Sequence, residues 1–205
     1  MRCWQGQRKF LMPHYRLYKK ELLHIHIPKT GGASITKAVE SFGGLSSFMR
    51  KAPAPQCGNV PPQHMDIEHT KKFFNLKKIM SFAIIRDPWH RTVSEFVWQF
   101  NTRNFTKLNK WVRYGITGIP HYKYYNHLLP QYKFINDDVK LFKYDNFKDA
   151  VKFVGQCLEI KDFKCLFNEN VRKEYEPPAI SILDEEAKKT WQSLYKRDLD
   201  LYHSL

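Results

Sequence analysis

A glycine-rich segment follows one of the most apolar stretches of the sequence. Its residues are Lys29, Thr30, Gly31, Gly32, Ala33 and Ser34. The glycines permit backbone torsion angles that other residues avoid, and they let the chain approach a ligand closely. Unpaired amides at the start of a following helix attract anions, while the hydroxyl groups add donors and the lysine adds a positive charge. This composition predicts a phosphate-binding loop, with a structural glycine turn as the alternative.

The order of residues in this loop differs from that of a P-loop kinase. The kinase loop reads GxxxxGK[ST], with its lysine after the last glycine, whereas Lys29 comes first here. A kinase also needs an acid to hold magnesium, and we interpret Asp87 and Asp145 as helix caps instead. We therefore predict no metal, and we keep a nucleotide kinase or other phosphoryl-transfer enzyme as an alternative function.

A second candidate site begins at Arg86, directly after an apolar run. Ser94 lies two helical turns into the segment that follows, on the face that positions 87, 90 and 91 share with it. An arginine offers a planar fork to a phosphate and a serine offers a short hydroxyl donor. We predict that Arg86 and Ser94 hold a second phosphate group; an Arg86 paired with Asp87 is the alternative.

Three apolar runs predict the strands that position these loops. They cover residues 22–27, 79–85 and 139–144, and helical periodicity follows near residues 35–42, 88–100 and 147–154. Further helices are predicted from Asp66 through Phe74 and from Asp184. The alternation predicts an α/β, P-loop-like three-layer fold in which helices flank a central parallel sheet, with ligands at the carboxyl ends of the strands.

The length of 205 residues predicts a single domain, residues 1–205. Within it we interpret residues 1–20 as an N-terminal extension and residues 43–63, which are rich in Gly and Pro, as a long surface loop. His24 and His26 alternate with apolar residues of the first strand, and we interpret both as structural.

The charge and the cysteines restrict the function less than the loops do. A net charge of +14 suits nucleic acid, an anionic polysaccharide or a phosphorylated ligand equally, so a non-catalytic basic polyanion-binding module is a third hypothesis. The four cysteines lack zinc spacing; Cys157 and Cys165 are either bridged or free. No apolar run has the length of a membrane helix, and no secretory leader is evident. We expect a cytoplasmic protein, or one of the Golgi lumen if an anchor precedes this chain.

Taken together, the two loops resemble those of the carbohydrate-type sulfotransferases. IPKTGGAS after one strand and IIRDPWHRTVSEF after the next are similar to the paired motifs of the heparan and chondroitin sulfotransferases and of small bacterial and viral relatives. The resemblance runs from about Leu22 to Tyr202 and includes LYKRDLDLY, which is similar to the terminal helix of that family. Two departures are Ala33, where threonine or serine is frequent, and His90, where an acid is frequent.

This resemblance implies an O-sulfotransferase that uses 3′-phosphoadenosine 5′-phosphosulfate (PAPS) and needs no metal. The implied acceptor is a hydroxyl group, by resemblance that of a carbohydrate, and the implied product is adenosine 3′,5′-bisphosphate; nucleic acid is not an expected partner. In the family the first loop holds the 5′-phosphosulfate, with Lys29 near the bridging oxygen, and the second loop holds the 3′-phosphate, to which Arg172 would contribute. His64 is the implied base, with His69 and then Glu68 as alternatives.

Overall fold

The computed structural model describes residues 13–47, 53–118, 120–165 and 176–205 of the chain. Within these ranges the strands are β1 (His14–Leu17), β2 (Lys20–Ile25), β3 (Leu45–Ser47), β4 (Ser81–Ile85) and β5 (Lys140–Lys143). The helices are α1 (Gly32–Ser41), α2 (Ile67–Lys71), α3 (Pro88–Phe100), α4 (Leu108–Lys110), α5 (Phe147–Leu158) and α6 (Glu185–Ser204). A π-helical turn, Trp111–Gly115, continues α4. Short 3₁₀ turns occupy Pro55–Cys57, Pro62–His64, Phe105–Lys107, His121–Tyr124, Gln131–Phe134, Tyr144–Asn146 and Ile180–Ile182.

The five strands form one mixed sheet in the order β3-β1-β2-β4-β5. The three strands expected from the sequence are its centre and one edge, where β2 pairs parallel to β4 and β4 pairs parallel to β5. This confirms the predicted α/β fold. The sheet is not parallel throughout, because β1 pairs antiparallel with both β2 and β3.

Helices cover both faces of the sheet, which gives the predicted three layers. Successive strand residues point to opposite faces, so Leu22 and Leu23 of β2 are both buried and belong to different apolar clusters. One cluster joins the sheet to α1 and α5, and the other joins it to α2 and the turn at Gln131–Phe134. A third cluster packs α3 against α4 and α6, beside the sheet.

The segment interpreted as an N-terminal extension contributes a strand. Tyr15 of β1 is fully buried, and its hydroxyl group lies 2.9 Å from Nδ1 of His24 and 2.8 Å from Oγ1 of Thr36. The sequence did not predict β1, because the strand is short and because its turn to β2 has Tyr18 at φ 51° rather than a glycine. Residues 1–12 lie outside the described part of the chain.

The segment predicted as a surface loop, residues 43–63, is partly structured and partly buried. It contains β3 and the turn at Pro55–Cys57, and a β-bridge joins Ala54 to Val60. Cys57 and Val60 are buried in the cluster beneath α2. Prolines favour turns, which made this segment look like a loop in the sequence, but these turns direct two apolar side chains into the core.

Acidic residues begin three of the helices, as the sequence predicts, but the interpretation of Asp145 as a cap is wrong, because α5 begins after Asn146 without a side-chain cap and Asp145 accepts a hydrogen bond from Tyr202. Asp66, Asp87 and Asp184 each accept a hydrogen bond from the amide three residues later, which satisfies a donor at the helix start. α2 ends at Lys71, earlier than predicted. Cys57, Cys157 and Cys165 are free thiols. Among the described residues there is no helix with the length and apolar character required to cross a bilayer.

Candidate active site

The glycine loop connects β2 to α1 in a conformation that leaves the start of the helix uncapped. Lys29 and Gly31 have positive φ angles of 69° and 86°, the left-handed region that favours glycine. No side chain caps α1 at Gly31, and the first turn contains no acid. The first amides of an α-helix have no intrahelical acceptor, so the loop presents donors without a competing carboxylate.

Side chains bind three successive carbonyl groups of this loop, those of residues 27–29. Thr30 Oγ1 donates to the first at 2.8 Å, Arg91 Nε donates to the second at 3.0 Å, and one terminal nitrogen of Arg86 donates to the third at 3.0 Å. These hydrogen bonds to its carbonyl groups fix the conformation of the glycine loop. Because one donor is Arg86, the two predicted loops are in direct contact. Since the Thr30 hydroxyl donates its proton to a carbonyl of the loop, the donor that Thr30 offers to an anion is its backbone amide.

Arg86 carries a half-buried positive charge that forms no ion pair with a carboxylate within the described ranges. Its guanidinium stacks over the Tyr144 ring at 4.6 Å, and its Nε atom is buried without a hydrogen-bond partner there. Burial lowers the pKa of Arg86, and the nearby Tyr144, Asp87 and Asp145 oppose this shift. The alternative pairing with Asp87 does not form, because the Asp87 side chain caps α3 instead. Partial removal of a guanidinium from water is unfavourable unless its donors are paired, and a bound phosphate group would pair the buried Nε donor.

A glutamine that sequence reasoning missed holds Arg86 in place. The Gln131 side chain accepts from the Arg86 amide at 3.0 Å and donates to its carbonyl at 2.8 Å. Asp198 of α6 in turn accepts from the amides of Gln131 and Tyr132, at 2.7 and 3.0 Å. Gln131 lies outside any motif. Asp198 belongs to the LYKRDLDLY segment, which the resemblance marked as a helix without assigning a role to this carboxylate.

The remaining predicted donor-site residues are placed less fully. Ser94 is half-buried on α3, and its hydroxyl has no hydrogen-bond partner in the described part of the chain. Ser34 is buried in the first turn of α1, where its amide donates to the Gly31 carbonyl at 3.0 Å. Ala33, which directly precedes Ser34, is half-buried. Arg172 lies outside the described residues.

His64, the predicted base, lies in a group of three imidazoles that we call the histidine cluster. Its ring is in edge contact with His26 at 5.4 Å and with His127 at 4.7 Å between centroids. Its Nδ1 lies 3.2 Å from the carbonyl of Tyr125, so Nδ1–H donates there and the lone pair remains on Nε2. Gln63 approaches that second nitrogen at the longer distance of 3.4 Å.

Burial keeps the inner members of the histidine cluster neutral. The pKa of His64 is lowered well below its usual value by burial first, and then by the neighbouring His127 and His26. Burial also lowers the pKa of His26 to about 4. At neutral pH both rings are therefore neutral, which is the state in which an imidazole can accept a proton.

Trp98 connects the glycine loop to the histidine cluster. Nζ of Lys29 lies 5.2 Å from the centre of the Trp98 ring, and the same ring stacks on His127 at 4.9 Å. The lysine of the first loop and the histidine cluster thus border one aromatic side chain. The structure brings Lys29, Arg86 and His64 to one end of the sheet.

The two alternative bases have other contacts. His69 lies with Nδ1 2.8 Å from a carboxylate oxygen of Asp66 and beside Gly58. Glu68 is exposed and pairs with Lys71 at 3.0 Å. Within the described residues neither one contacts the histidine cluster. His24, interpreted as structural, stacks on Phe82 inside the sheet layer at 4.4 Å.

Gly32 is required for the close approach of α1 to β2. A Cβ atom at this position would overlap the ring of His26 and lie 2.8 Å from Cε1 of His24. We expect Gly32→Ala to destabilise the protein by about 1–3 kcal/mol, because overpacking forces neighbouring side chains from their positions. A fall in the thermal unfolding midpoint measures this effect; an unchanged midpoint would show that the two rings can move at no cost.

A glycine loop and a half-buried arginine at the ends of neighbouring parallel strands form the kind of site at which α/β enzymes bind phosphorylated ligands. The family model of the sulfotransferase family matches residues 16–203. The chain therefore belongs to the sulfotransferase family, whose reaction is sulfuryl transfer. No curated protein and no solved structure gave a match.

Proposed function

We propose that this protein is a PAPS-dependent O-sulfotransferase whose acceptor is a carbohydrate. The observation that carries the proposal is the half-buried Arg86 guanidinium, which forms no ion pair among the described residues, has a buried Nε without a hydrogen-bond partner there, and donates to the Lys29 carbonyl. The two candidate anion sites therefore lie within one side chain of each other. A ligand with phosphate groups at both its 5′ and 3′ ends matches this arrangement, and family membership favours sulfuryl transfer over the phosphoryl-transfer alternative.

Each loop binds one end of the donor in this proposal. The amides of the glycine loop and the α1 N-terminus hold the 5′-phosphosulfate, with Lys29 beside its bridging oxygen. Arg86 and Ser94 hold the 3′-phosphate, and Arg172 joins them. The Nε atom of Arg86, which has no partner in the described chain, and the half-buried Ser94 supply donors of the required kind.

The transfer step divides the work between Lys29 and His64. His64 Nε2 accepts the proton of the acceptor hydroxyl while that oxygen forms a bond to sulfur. The bond between sulfur and the bridging oxygen breaks, and its electron pair stays on the 5′-phosphate of adenosine 3′,5′-bisphosphate. Lys29 stabilises the charge that develops on this oxygen.

Exposed aromatic side chains beside the histidine cluster support a sugar as the acceptor. Trp98 is 59% exposed and Tyr125 is 42% exposed, although both adjoin cluster members. Ligand sites commonly combine such aromatic faces with a few placed polar groups. Trp111, by contrast, is buried in the core, so the glycan contacts are proposed at Trp98 and Tyr125.

A nucleotide-selectivity experiment tests the donor. Adenosine 3′,5′-bisphosphate should raise the thermal unfolding midpoint more than ATP with magnesium does, because binding to the native state stabilises it. Incubation with labelled PAPS and a panel of glycans should then yield labelled product. Preferential stabilisation by ATP with magnesium would support the kinase hypothesis. Salt-dependent DNA binding without nucleotide stabilisation would support the polyanion-binding hypothesis.

A further inference from the structure

The buried carboxylate of Glu95 has one side-chain partner in the described part of the chain, His127. Oε2 of Glu95 lies 2.8 Å from Nδ1 of His127, and the Glu95 side chain is only 3% exposed. Nδ1–H therefore donates to the carboxylate and the lone pair of His127 is on Nε2. An imidazole oriented by a carboxylate is a proton acceptor whose charged form is stabilised in advance.

The His127 ring is held at the outer side of the histidine cluster. It stacks on Trp98 and meets the edge of His64, while Arg91 donates to its backbone carbonyl at 2.7 Å. His127 is half-buried, whereas His64 and His26 are both buried. His127 is thus the neighbour through which His64 is nearest to an anion and to solvent.

The protonated form of His64 is unfavourable in its buried position. The charged and titratable groups around the two imidazoles come from several elements: Glu95 and Arg91 on α3, His26 after β2, and Lys29 in the glycine loop. Glu95 is the one acid among them. Burial first, and then the neighbouring His127, His26 and Arg91, lower the pKa of His64.

We propose that His127 receives the proton that His64 takes from the acceptor hydroxyl, and that the Glu95 carboxylate holds it there until solvent removes it. The inference rests on the function proposed above. In this step Nε2 of His127 gains the proton, His64 returns to its neutral form, and Glu95 stays ionised; water then accepts the proton from His127. His127 and Glu95 are therefore positioning residues that act through His64.

The pH dependence of transfer distinguishes this role from a structural one. kcat/KM falls at acid pH when the histidine cluster takes up its first proton. Glu95→Gln should move this loss to lower pH by about one unit, because a carboxylate favours the charged imidazole. It should also lower the rate at the plateau by about 10–100-fold, because the remaining group accepts a proton less well. His127→Gln should act in the same direction.

Asp66→Asn is the matched control. It alters a histidine–carboxylate contact of equal length, 2.8 Å to His69, outside the cluster, and asparagine also caps helices well. The acid limb should stay in place in this variant. A lower rate in Glu95→Gln at every pH, with the acid limb unmoved, would overturn the proposal and leave Glu95 a packing role.

A second measurement needs no variant. In the wild-type complex with adenosine 3′,5′-bisphosphate, imidazole ¹⁵N signals followed during acidification should show His127 protonating before His64; the reverse order would overturn the proposal. Loss of the proposed function is recognised separately, since wild-type protein would then transfer no label from PAPS. Stabilisation of Glu95→Gln by adenosine 3′,5′-bisphosphate should match that of the wild type, which shows that the donor site is intact.

Discussion

His64→Ala should lower kcat by about 10²–10⁴-fold, the range that a positioned general base contributes, while adenosine 3′,5′-bisphosphate still binds. The reason is that His64 lies in the histidine cluster with its Nδ1 used by the Tyr125 carbonyl, so removal of the ring takes away the Nε2 lone pair without touching either anion-binding loop. Initial rates with labelled PAPS and calorimetric titration of the bisphosphate measure the two effects.

His203→Ala is the control for this variant, because His203 is exposed on α6 and its loss should leave the rate unchanged. Turnover near the wild-type level in His64→Ala would remove His64 as the base. If His69→Ala instead lost turnover, the alternative base would be correct despite its contact with Asp66.

Lys29→Ala should weaken nucleotide binding and also slow sulfuryl transfer. We expect kcat to fall by about 10²–10³-fold, because a charge that stabilises the leaving oxygen is lost. We also expect the free energy of bisphosphate binding to weaken by about 1.5–3 kcal/mol, the contribution of a hydrogen bond to a charged group. Arg86→Ala should likewise impair nucleotide binding, since Arg86 both carries a charge and holds the Lys29 carbonyl.

Lys19→Ala removes an equal charge from an exposed position in the turn between β1 and β2, so it controls for the overall field of the basic protein. Its nucleotide affinity should match that of the wild type. Unchanged affinity in both Lys29→Ala and Arg86→Ala would refute the model in which two loops bind one nucleotide.

Elements with strong hydrophobic periodicity and a clear cap were predictable from the sequence. α3 shows this best: Asp87 caps it, Pro88 begins it, and its predicted end at Phe100 agrees with the structure. β1 was not predictable, because it is held by pairing with β2 and β3 rather than by its own four residues. The turns before α2 were also missed, since their burial depends on contacts with distant parts of the chain.

The candidate site divides in the same way. Lys29, Arg86 and His64 were predicted because local order along the chain, or resemblance to a family, marked them, and their roles stay predictions. Gln131 and His127 were missed, because each acts through a contact with a residue more than thirty positions away, Arg86 and Glu95 respectively. Such pairs leave no local spacing pattern, and a glutamate on a helix resembles any solvated charge until its burial is known.

The hydrogen bond between Arg86 and the Lys29 carbonyl fixes the distance between the two proposed anion-binding sites. One guanidinium, rather than flexible loops, sets this distance. A nucleotide with a single phosphorylated end would therefore fill one site and leave the Arg86 guanidinium of the other without an anion. Discrimination against abundant cellular adenylates would then arise from this uncompensated charge, without any need to exclude the adenine ring.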